Sequence, residues 1–494
     1  MNHFKETRIN APIYEALKNY IGENPIPFHM PGHKMGKGIF PEYAAIISQL
    51  DVTEIPGTDN LHFPIGAIKE SQELAAYAFG AVKTYFLVNG SSCGIHAAIM
   101  SVCRPGDKII VSRDCHKSVI GGMMLAGANP VYVPVGLDDS FGIPLVVGTG
   151  ELERTLEENP NAAAVLITRP NYYGVCSDIE RIAQITHSYR KILIVDEAHG
   201  AHFNFHSSLP ASALSAGADI CIQSAHKTLP AFTQGAYLHL GSHLIDVDRL
   251  EFNLRLLQTT SPSYIIMTSL DIARSIMETH GGELLERLID NIEWFIDASN
   301  LISGIKVLQE KDLISWDGMK IEKDITRVVI NVRELGMTGY ETAKTLREKF
   351  HIQVEMADLH NIVCIATVAD GRKEIEALYL ALKQIAHEKD NKVERSVGIL
   401  LGTTTSATKN LPIPKQGMKL QDVSRSKGKY IALKNSMGEI SRDFIVPYPP
   451  GIPVVCPGEI ISGDIVEYIY GVIEAGGSVN GIDTNDEVDV VDIV

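Results

Sequence analysis

The sequence predicts an α/β protein with a mostly parallel central sheet. Between about residue 70 and residue 240, short apolar runs alternate with helix-like segments, the pattern of successive βαβ units. Two of these runs end in reactive side chains, since Ile192–Val195 leads into Asp196 and Asp219–Gln223 leads into Ser224–Lys227. Because ligands bind at the carboxyl ends of parallel strands, we expect a carboxylate and a lysine to share one crevice.

The predicted strands of this sheet are apolar runs of a few residues, most of them close to Gly, Pro, Asn or Asp. In chain order they are Tyr85–Val88, Lys108–Val111, Val131–Val133, Ala164–Ile167, Ile192–Val195, Ile220–Ile222 and Ala236–His239. A helix is predicted over Cys93–Val102. A long amphipathic helix is predicted from Leu270 to about Ile302, where it would carry the chain into a smaller domain.

Three domains are predicted: residues 1–300 as the large domain, 301–390 as a small α/β domain, and 391–494 as a linker with a C-terminal α+β domain. The small domain is expected to contain strands at Ile325–Ile330 and Ile362–Ala366 and a helix at Glu374–His387. Residues 388–428 are polar and lack a regular pattern, which is typical of a linker. The acidic stretch 483–494 is expected to be a frayed end.

Composition excludes some classes of partner. The 494 residues are 45% hydrophobic and 21% charged, as in an ordinary globular protein. The net charge of -16 argues against nucleic acid or anionic membranes as partners, and no apolar run is long enough to span a membrane. Seven scattered cysteines without a C-x-x-C spacing are typical of reduced thiols, so we expect a cytoplasmic protein.

An aspartate and a lysine at neighbouring strand ends are the pair that pyridoxal 5'-phosphate requires. The lysine binds the cofactor covalently, and the aspartate keeps the pyridine nitrogen protonated so that the ring can accept electrons. Lys227 and Asp196 are therefore the predicted catalytic pair. The alternatives are a surface lysine and a structural ion pair.

Several ordered motifs resemble those of the Orn/Lys/Arg decarboxylase family, in its short type without an N-terminal wing. They run across nearly the whole chain and comprise His29–Lys34, Asn89–Ser92, Cys115–Ser118, Asp196–Gly200, Ser224–Lys227, Thr259–Tyr264, Pro447–Pro453 and Pro457–Glu459. The resemblance implies an aspartate-aminotransferase-like large domain, the type I fold of pyridoxal-phosphate enzymes. It also implies a homodimer or higher homo-oligomer with active sites at the subunit interface.

The resemblance also implies a role for each matching residue. Catalysis would rest on Lys227, Asp196 and His116, with His116 stacking on one face of the cofactor ring and Ala198 lying against the other. The remaining cofactor contacts would be Ser91, Ser92, His199, Ser224, His226, Thr260 and Ser261. Short hydroxyl side chains and backbone N–H groups at a helix start suit a phosphate, although serines there also serve as plain N-caps.

The implied activity is decarboxylation of a basic L-amino acid, with arginine to agmatine expected first and lysine or ornithine as alternatives. Glu459 is predicted to contact the distal cation of the substrate, the alternative being a solvated glutamate. Asn60 stands where short relatives commonly have an acidic residue, which leaves the choice of substrate open. An aminotransferase or another lyase on the same fold is the main rival class.

Three histidines have spacing that also fits metal ligands. His199, His202 and His206 would share one face of a helix. The stretch lacks the glutamate of an H-E-x-x-H motif, and the resemblance assigns His199 to the cofactor pocket. We therefore predict no metal site.

Overall fold

The computed structural model of this chain describes residues 11–313, 320–390, 412–448 and 452–492. Within these ranges the α-helices are α1 Pro12–Gly22, α2 Pro41–Ile46, α3 Ala67–Phe79, α4 Gly90–Val102, α5 Lys117–Ala126, α6 Thr149–Glu158, α7 Ile179–Ser188, α8 Ala225–Thr228, α9 Val247–Leu257, α10 Tyr264–Ser299, α11 Gly339–Phe350, α12 Arg372–Asp390, α13 Leu420–Val423 and α14 Gly463–Glu474.

The strands are β1 Ile26–Phe28, β2 Lys83–Leu87, β3 Lys108–Ser112, β4 Asn129–Val133, β5 Val135–Asp138, β6 Ile143–Val147, β7 Ala164–Thr168, β8 Val175–Ser177, β9 Ile192–Asp196, β10 Ile220–Gln223, β11 Ala236–Leu240, β12 Lys306–Val307, β13 Ile321–Lys323, β14 Arg327–Asn331, β15 Ile352–Val354, β16 Met356–Ala357, β17 Asn361–Ile365, β18 Gly428–Ala432, β19 Val446–Tyr448, β20 Ser478–Asn480 and β21 Glu487–Val491.

A seven-stranded sheet forms the centre of the large domain, in the order β2-β11-β10-β9-β7-β3-β4. All seven predicted runs form its strands, and β11 runs in the direction opposite to the other six. Both faces of the sheet are covered. On β9, for example, Leu193 and Val195 pack into one core cluster and Ile194 packs into another. Because both faces are buried, the sequence of each strand is a continuous apolar run.

The small domain has a four-stranded sheet in the order β12-β14-β17-β16. The two predicted strands correspond to β14 and β17, and the predicted helix corresponds to α12. Helix α11 was not predicted. Its start is a capping box in which the Thr338 hydroxyl accepts from the Glu341 N–H, and the Glu341 carboxylate accepts from the Thr338 N–H.

The C-terminal region contains α14 and two small antiparallel pairs, β18 with β21 and β19 with β20. The prediction of a frayed end is wrong for Glu487–Val491, which pairs with Gly428–Ala432. Val488 and Val490 are fully buried, so their alternation with acidic residues makes a half-buried strand. Residues 391–411 of the predicted linker, and Pro449, Pro450 and Gly451 of the C-terminal motif, lie outside the described residues.

The first described helix and strand tie the start of the chain to the small domain, because β1 pairs in parallel with β15. Helix α10 is 36 residues long and matches the predicted long helix, although it begins at Tyr264 rather than near Leu270. No helix in the described part of the chain is both long and apolar enough to cross a membrane.

Candidate active site

A cavity of about 580 Å³ opens at the carboxyl ends of β3, β7, β9 and β10. The predicted site residues that line it are Ser91, His116, Asp196, Ala198, His199 and Lys227. The C-terminal region contributes Phe444, Val446 and Ile452 to the opposite wall. The cavity is therefore lined in part by a segment that lies more than 200 residues after the reactive strands.

Lys227 follows β10 in the short helix α8 and reaches into the cavity. Its Nζ lies 2.9 Å from Nε2 of His199. Burial lowers the pKa of Lys227 to about 8, against the opposing effect of Asp196, and the charge of Arg327 acts in the same direction as burial. A substantial part of this lysine is therefore neutral at physiological pH, and the neutral amine is the nucleophilic form.

Asp196 ends β9 on the strand next to β10, and its side chain is almost fully buried. Its Oδ1 accepts a hydrogen bond of 3.2 Å from the N–H of Ala198. Burial raises the pKa of Asp196, although Lys227 and this N–H favour the charged form. A buried carboxylate of this kind is stabilised by a cationic partner inside the cavity.

His116 caps the start of α5. Its Nδ1 accepts from the backbone N–H of Ser118 at 3.2 Å, so the proton of the neutral ring is on Nε2. Burial, together with the charges of Lys227 and Lys117, lowers the pKa of His116 to about 4. The ring is therefore neutral at physiological pH and presents an aromatic surface to the cavity.

Helix α4 begins at Gly90, directly before Ser91 and Ser92. Gly90 has φ +77, a left-handed conformation that favours glycine at this turn. The Ser224 hydroxyl donates to Oγ of Ser91 at 2.8 Å, so serines from two separate loops meet at the start of the helix. The N-cap residue is Asn89, so neither Ser91 nor Ser92 is the plain N-cap that was the alternative reading.

Residues 11–374 match the family model of the Orn/Lys/Arg decarboxylase major domain, and residues 406–486 match that of the C-terminal domain. The chain belongs to the Orn/Lys/Arg decarboxylase family. An arginine decarboxylase of Bacillus anthracis is 38% identical over 97% of this chain and 96% of its own length.

Solved structures support the same fold. A lysine decarboxylase of Francisella novicida gives a TM-score of 0.77 at 21% identity, covering 97% of this chain and 83% of that chain. An alanine–glyoxylate aminotransferase of Nostoc sp. gives a TM-score of 0.55 at 16% identity, covering 69% of this chain and 92% of that chain. The predicted aspartate-aminotransferase-like fold of type I is therefore confirmed.

Other predicted site residues lie around the cavity without lining it. His226 is next to Lys227, and its Nδ1 donates to the carbonyl of Gly235 at 3.1 Å. Thr260 and Ser261 are exposed on the loop before α10 and do not line the cavity. Ser92 and Ser224 belong to the serine cluster at the start of α4.

Glu459 lies outside this cavity and is fully buried. Its Oε2 accepts from the Arg113 guanidinium at 3.0 Å and from the Cys456 N–H at 2.7 Å. Burial raises its pKa, and the charge of Arg113 opposes this shift. Oε1 is buried and has no hydrogen-bond partner among the described residues.

The three histidines with metal-like spacing do not share a helix face. The chain forms only a 3-10 turn, Phe203–Phe205, in this stretch. His199 contacts Lys227, whereas His202 lies 3.3 Å from Asp324 and His206 lies 2.6 Å from Glu286. Within the described ranges, no group of three or more His, Cys, Asp or Glu residues could hold a metal ion.

The family's N-terminal motif supports the loop that carries the lysine. The N–H of Gly32 donates to the carbonyl of His226 at 2.7 Å, and a side chain at position 32 would meet the carbonyl of Leu229, which lies 2.6 Å from the Cβ position. Lys34 is fully buried and donates to the carbonyl of Ile365 in the small domain at 2.6 Å. The motif thus links the small domain to the segment next to Lys227.

Sequence reasoning missed several residues at or behind the cavity. Asp114, Thr168 and Tyr172 line it, and each follows or ends a strand of the parallel sheet, which is the signal that could have identified them. Burial raises the pKa of Asp114 to about 6. Arg327, from β14 of the small domain, donates to Nδ1 of His199 at 2.8 Å, and no sequence motif marks it.

Proposed function

We propose that this protein decarboxylates arginine to agmatine and CO2, with pyridoxal 5'-phosphate as its cofactor. The observation that carries the proposal is the arrival of Lys227 and Asp196 in one cavity from adjacent parallel strands. The high identity to an arginine decarboxylase over nearly the whole chain supports arginine as the substrate. Lysine and ornithine are the alternatives within the family.

The residues of the cavity suit this cofactor. Asp196 is a buried carboxylate that needs a cation, and a protonated pyridine nitrogen is one. Oγ1 of Thr168 and Oδ1 of Asp114 are buried and lack hydrogen-bond partners in the described part of the chain. Because unpartnered buried polar atoms are costly, a polar ligand in the cavity would stabilise them.

When bound, pyridoxal phosphate supplies a protonated ring that takes up the electron pair left by the departing CO2. Asp196 would hold the proton on the ring nitrogen. Lys227 would anchor the cofactor through Nζ. His116, neutral and aromatic, would stack on one face of the ring, and Ala198 would pack against the other.

The phosphate would bind at the start of α4. The first turn of a helix has free backbone N–H groups and the positive end of the helix dipole, both of which stabilise an anion. The hydroxyls of Ser91, Ser92 and Ser224 would add hydrogen-bond donors beside this helix start, and His226 would complete the phosphate-binding site. Because Nδ1 of His226 donates to a carbonyl, its Nε2 needs a proton to donate to the phosphate.

Glu459 remains our predicted contact for the distal cation of the substrate. Oε1 lacks a hydrogen-bond partner among the described residues, but it is buried outside the cavity, so this role requires a rearrangement that exposes it. The ion pair with Arg113 joins the same carboxylate to the loop after β3. A cationic substrate near Oε1 would have to compete with the charge of Arg113 for one carboxylate. The two roles are separable, because a substrate contact alters KM and a structural link alters stability.

We also propose a homodimer with an active site near its interface. Large apolar side chains are exposed on α9 and on the surface loop before α3: Phe63 is 67% exposed, Ile65 89%, Phe252 59% and Leu256 62%. His62 of that loop contacts the carbonyl of Thr259 at 2.8 Å, so the apolar patch adjoins the Thr259–Tyr264 loop. A second subunit covering this patch would bring Thr260 and Ser261 to its neighbour's cavity.

The thiols support an intracellular location. All seven cysteines are free and buried, which suits a reducing compartment, so we place the protein in the cytoplasm.

A substrate panel tests the proposed function. Purified protein is incubated with pyridoxal phosphate and arginine, lysine or ornithine, and the released amines are identified by mass spectrometry. We expect agmatine to form fastest. Cadaverine or putrescine as the main product would assign another substrate of the family, and transfer of the amino group to a keto acid without release of CO2 would assign an aminotransferase.

A further inference from the structure

His199 lies between two basic side chains. On one side, Nη2 of Arg327 is 2.8 Å from Nδ1 of His199. On the other side, Nζ of Lys227 is 2.9 Å from Nε2. His199 is 6% exposed and Arg327 1% exposed, so water does not separate the members of this chain of contacts.

The proton positions in this chain are determined by the chemistry of arginine. A guanidinium has five N–H donors and no acceptor, so Nδ1 of His199 accepts the hydrogen bond from Arg327. Burial beside the Arg327 guanidinium makes a doubly protonated ring unfavourable, and the pKa of His199 is well below its ordinary value. The single proton of the neutral ring is therefore on Nε2, the atom that faces Lys227.

We propose that Arg327 is a positioning residue that fixes His199 in the Nε2–H tautomer, and that this N–H donates to the unprotonated amine of Lys227. The opposite arrangement, in which the lysine ammonium donates to Nε2, would need the proton of His199 on Nδ1. Two donors would then face each other at the contact between Nδ1 and Arg327.

The other contacts of Arg327 support this role. Its Nε and Nη1 are buried and have no hydrogen-bond partner in the described ranges, whereas its Nη2 donates to His199. Burying a guanidinium with unsatisfied donors is costly and needs a compensating function. Control of the state of His199, and through it of Lys227, is such a function.

The consequence concerns the nucleophile. An amine that accepts a hydrogen bond from His199 must be in its neutral form, at pH values where a free lysine is protonated, and its lone pair becomes free for attack when this hydrogen bond breaks. The remaining groups that face Lys227 act on the same equilibrium: Asp196 and Glu355 favour the ammonium, while Arg327 and burial favour the amine. The use of this amine in catalysis rests on the proposed function, but the tautomer does not.

The test uses the full-length chain without added cofactor. Its result therefore does not depend on whether the proposed function is correct. Protein labelled with ¹⁵N-histidine is examined by NMR, where protonated and unprotonated ring nitrogens have well separated shifts, and His199→Gln identifies the signals of His199. We expect an unprotonated Nδ1 and a protonated Nε2. A proton on Nδ1, or a doubly protonated ring at neutral pH, would overturn the proposal without any further variant.

Two variants then assign the effect to Arg327. In Arg327→Met we expect the Nδ1–H tautomer to appear and the pKa of Lys227, followed by pH-dependent amine labelling and peptide mass spectrometry, to rise by about one unit or more. The matched control is Arg333→Gln, a partly exposed arginine six residues further along, which should keep the parent tautomer. An unchanged tautomer in folded Arg327→Met would contradict the assignment.

Discussion

The low pKa of Lys227 predicts how fast the cofactor-free protein captures pyridoxal phosphate as pH changes. At pH 7.5 a lysine with a pKa of about 8 is roughly 25% neutral, whereas one at 10.5 is about 0.1% neutral. The neutral fraction is thus larger by about two orders of magnitude because of the protein environment. Since the amine is the attacking form, the second-order rate of capture should rise about tenfold per pH unit below pH 8 and level off above it.

The assay is rapid mixing of cofactor-free protein with limiting pyridoxal phosphate between pH 6.5 and 10, followed by visible absorbance. A short lysine peptide measured in parallel corrects for ionisation of the cofactor itself. Asp196→Asn should shift the midpoint to lower pH, because Asp196 favours the ammonium form of Lys227. A rate that continues to rise up to pH 10, as it does for the peptide, would refute the proposed environment of Lys227.

Further variants test the separate roles. Lys227→Ala should lose the absorbance of covalently bound cofactor and nearly all turnover; unchanged activity would remove Lys227 from the mechanism. Asp196→Asn should retain cofactor but lower kcat by about a hundredfold or more, since the amide cannot hold the ring proton, and a near-normal kcat would assign that role to another residue. Glu459→Gln should raise KM for arginine by about 10- to 150-fold, because a charge-assisted hydrogen bond is lost, and should change kcat less. An unchanged KM would assign substrate recognition to the loop at Asn60 instead. Phe252→Glu should convert a dimer into an inactive monomer, as measured by light scattering and an activity assay. Leu301→Glu, at another exposed apolar position, should leave the dimer intact. A fully active monomer would contradict an active site shared between subunits.

The central sheet could be predicted because its strands are buried on both faces. Such strands are continuous apolar runs, and their carboxyl ends are marked by the polar residues that follow, as at Asp196 and Lys227. The same rule extends to Asp114 and Thr168, which line the cavity after β3 and at the end of β7.

Arg327 and the interior role of Lys34 could not be predicted from the sequence. Both are buried cations, and sequence reasoning expects lysine and arginine at the surface unless they are paired. Lys34 is held by the carbonyl of Ile365 and by Asp370, more than 330 residues away, and Arg327 reaches His199 from another domain. Such partners depend on how the large and small domains meet, which local patterns do not encode.

Local patterns were misread in two other places. The capping box at Thr338 and Glu341 marks the start of α11, but the polar character of that helix concealed it. At the C-terminal end, the acidic composition led to the prediction of a frayed end. The alternation of Val488 and Val490 with acidic residues is instead the pattern of a strand, β21. The division into domains at residues 300 and 390 remains a prediction.

The central claim is that Lys227 binds the cofactor in this cavity. Mapping the lysine to which the cofactor is attached tests this claim most directly. The protein is loaded with pyridoxal phosphate, reduced with borohydride to make the covalent bond permanent, digested, and mapped by mass spectrometry, with Lys227→Ala treated in the same way. The predicted result is a single modified peptide containing Lys227 in the parent protein and no stoichiometric modification in the variant. Modification of another lysine, or equal labelling of parent and variant, would contradict the assignment of this cavity as the active site.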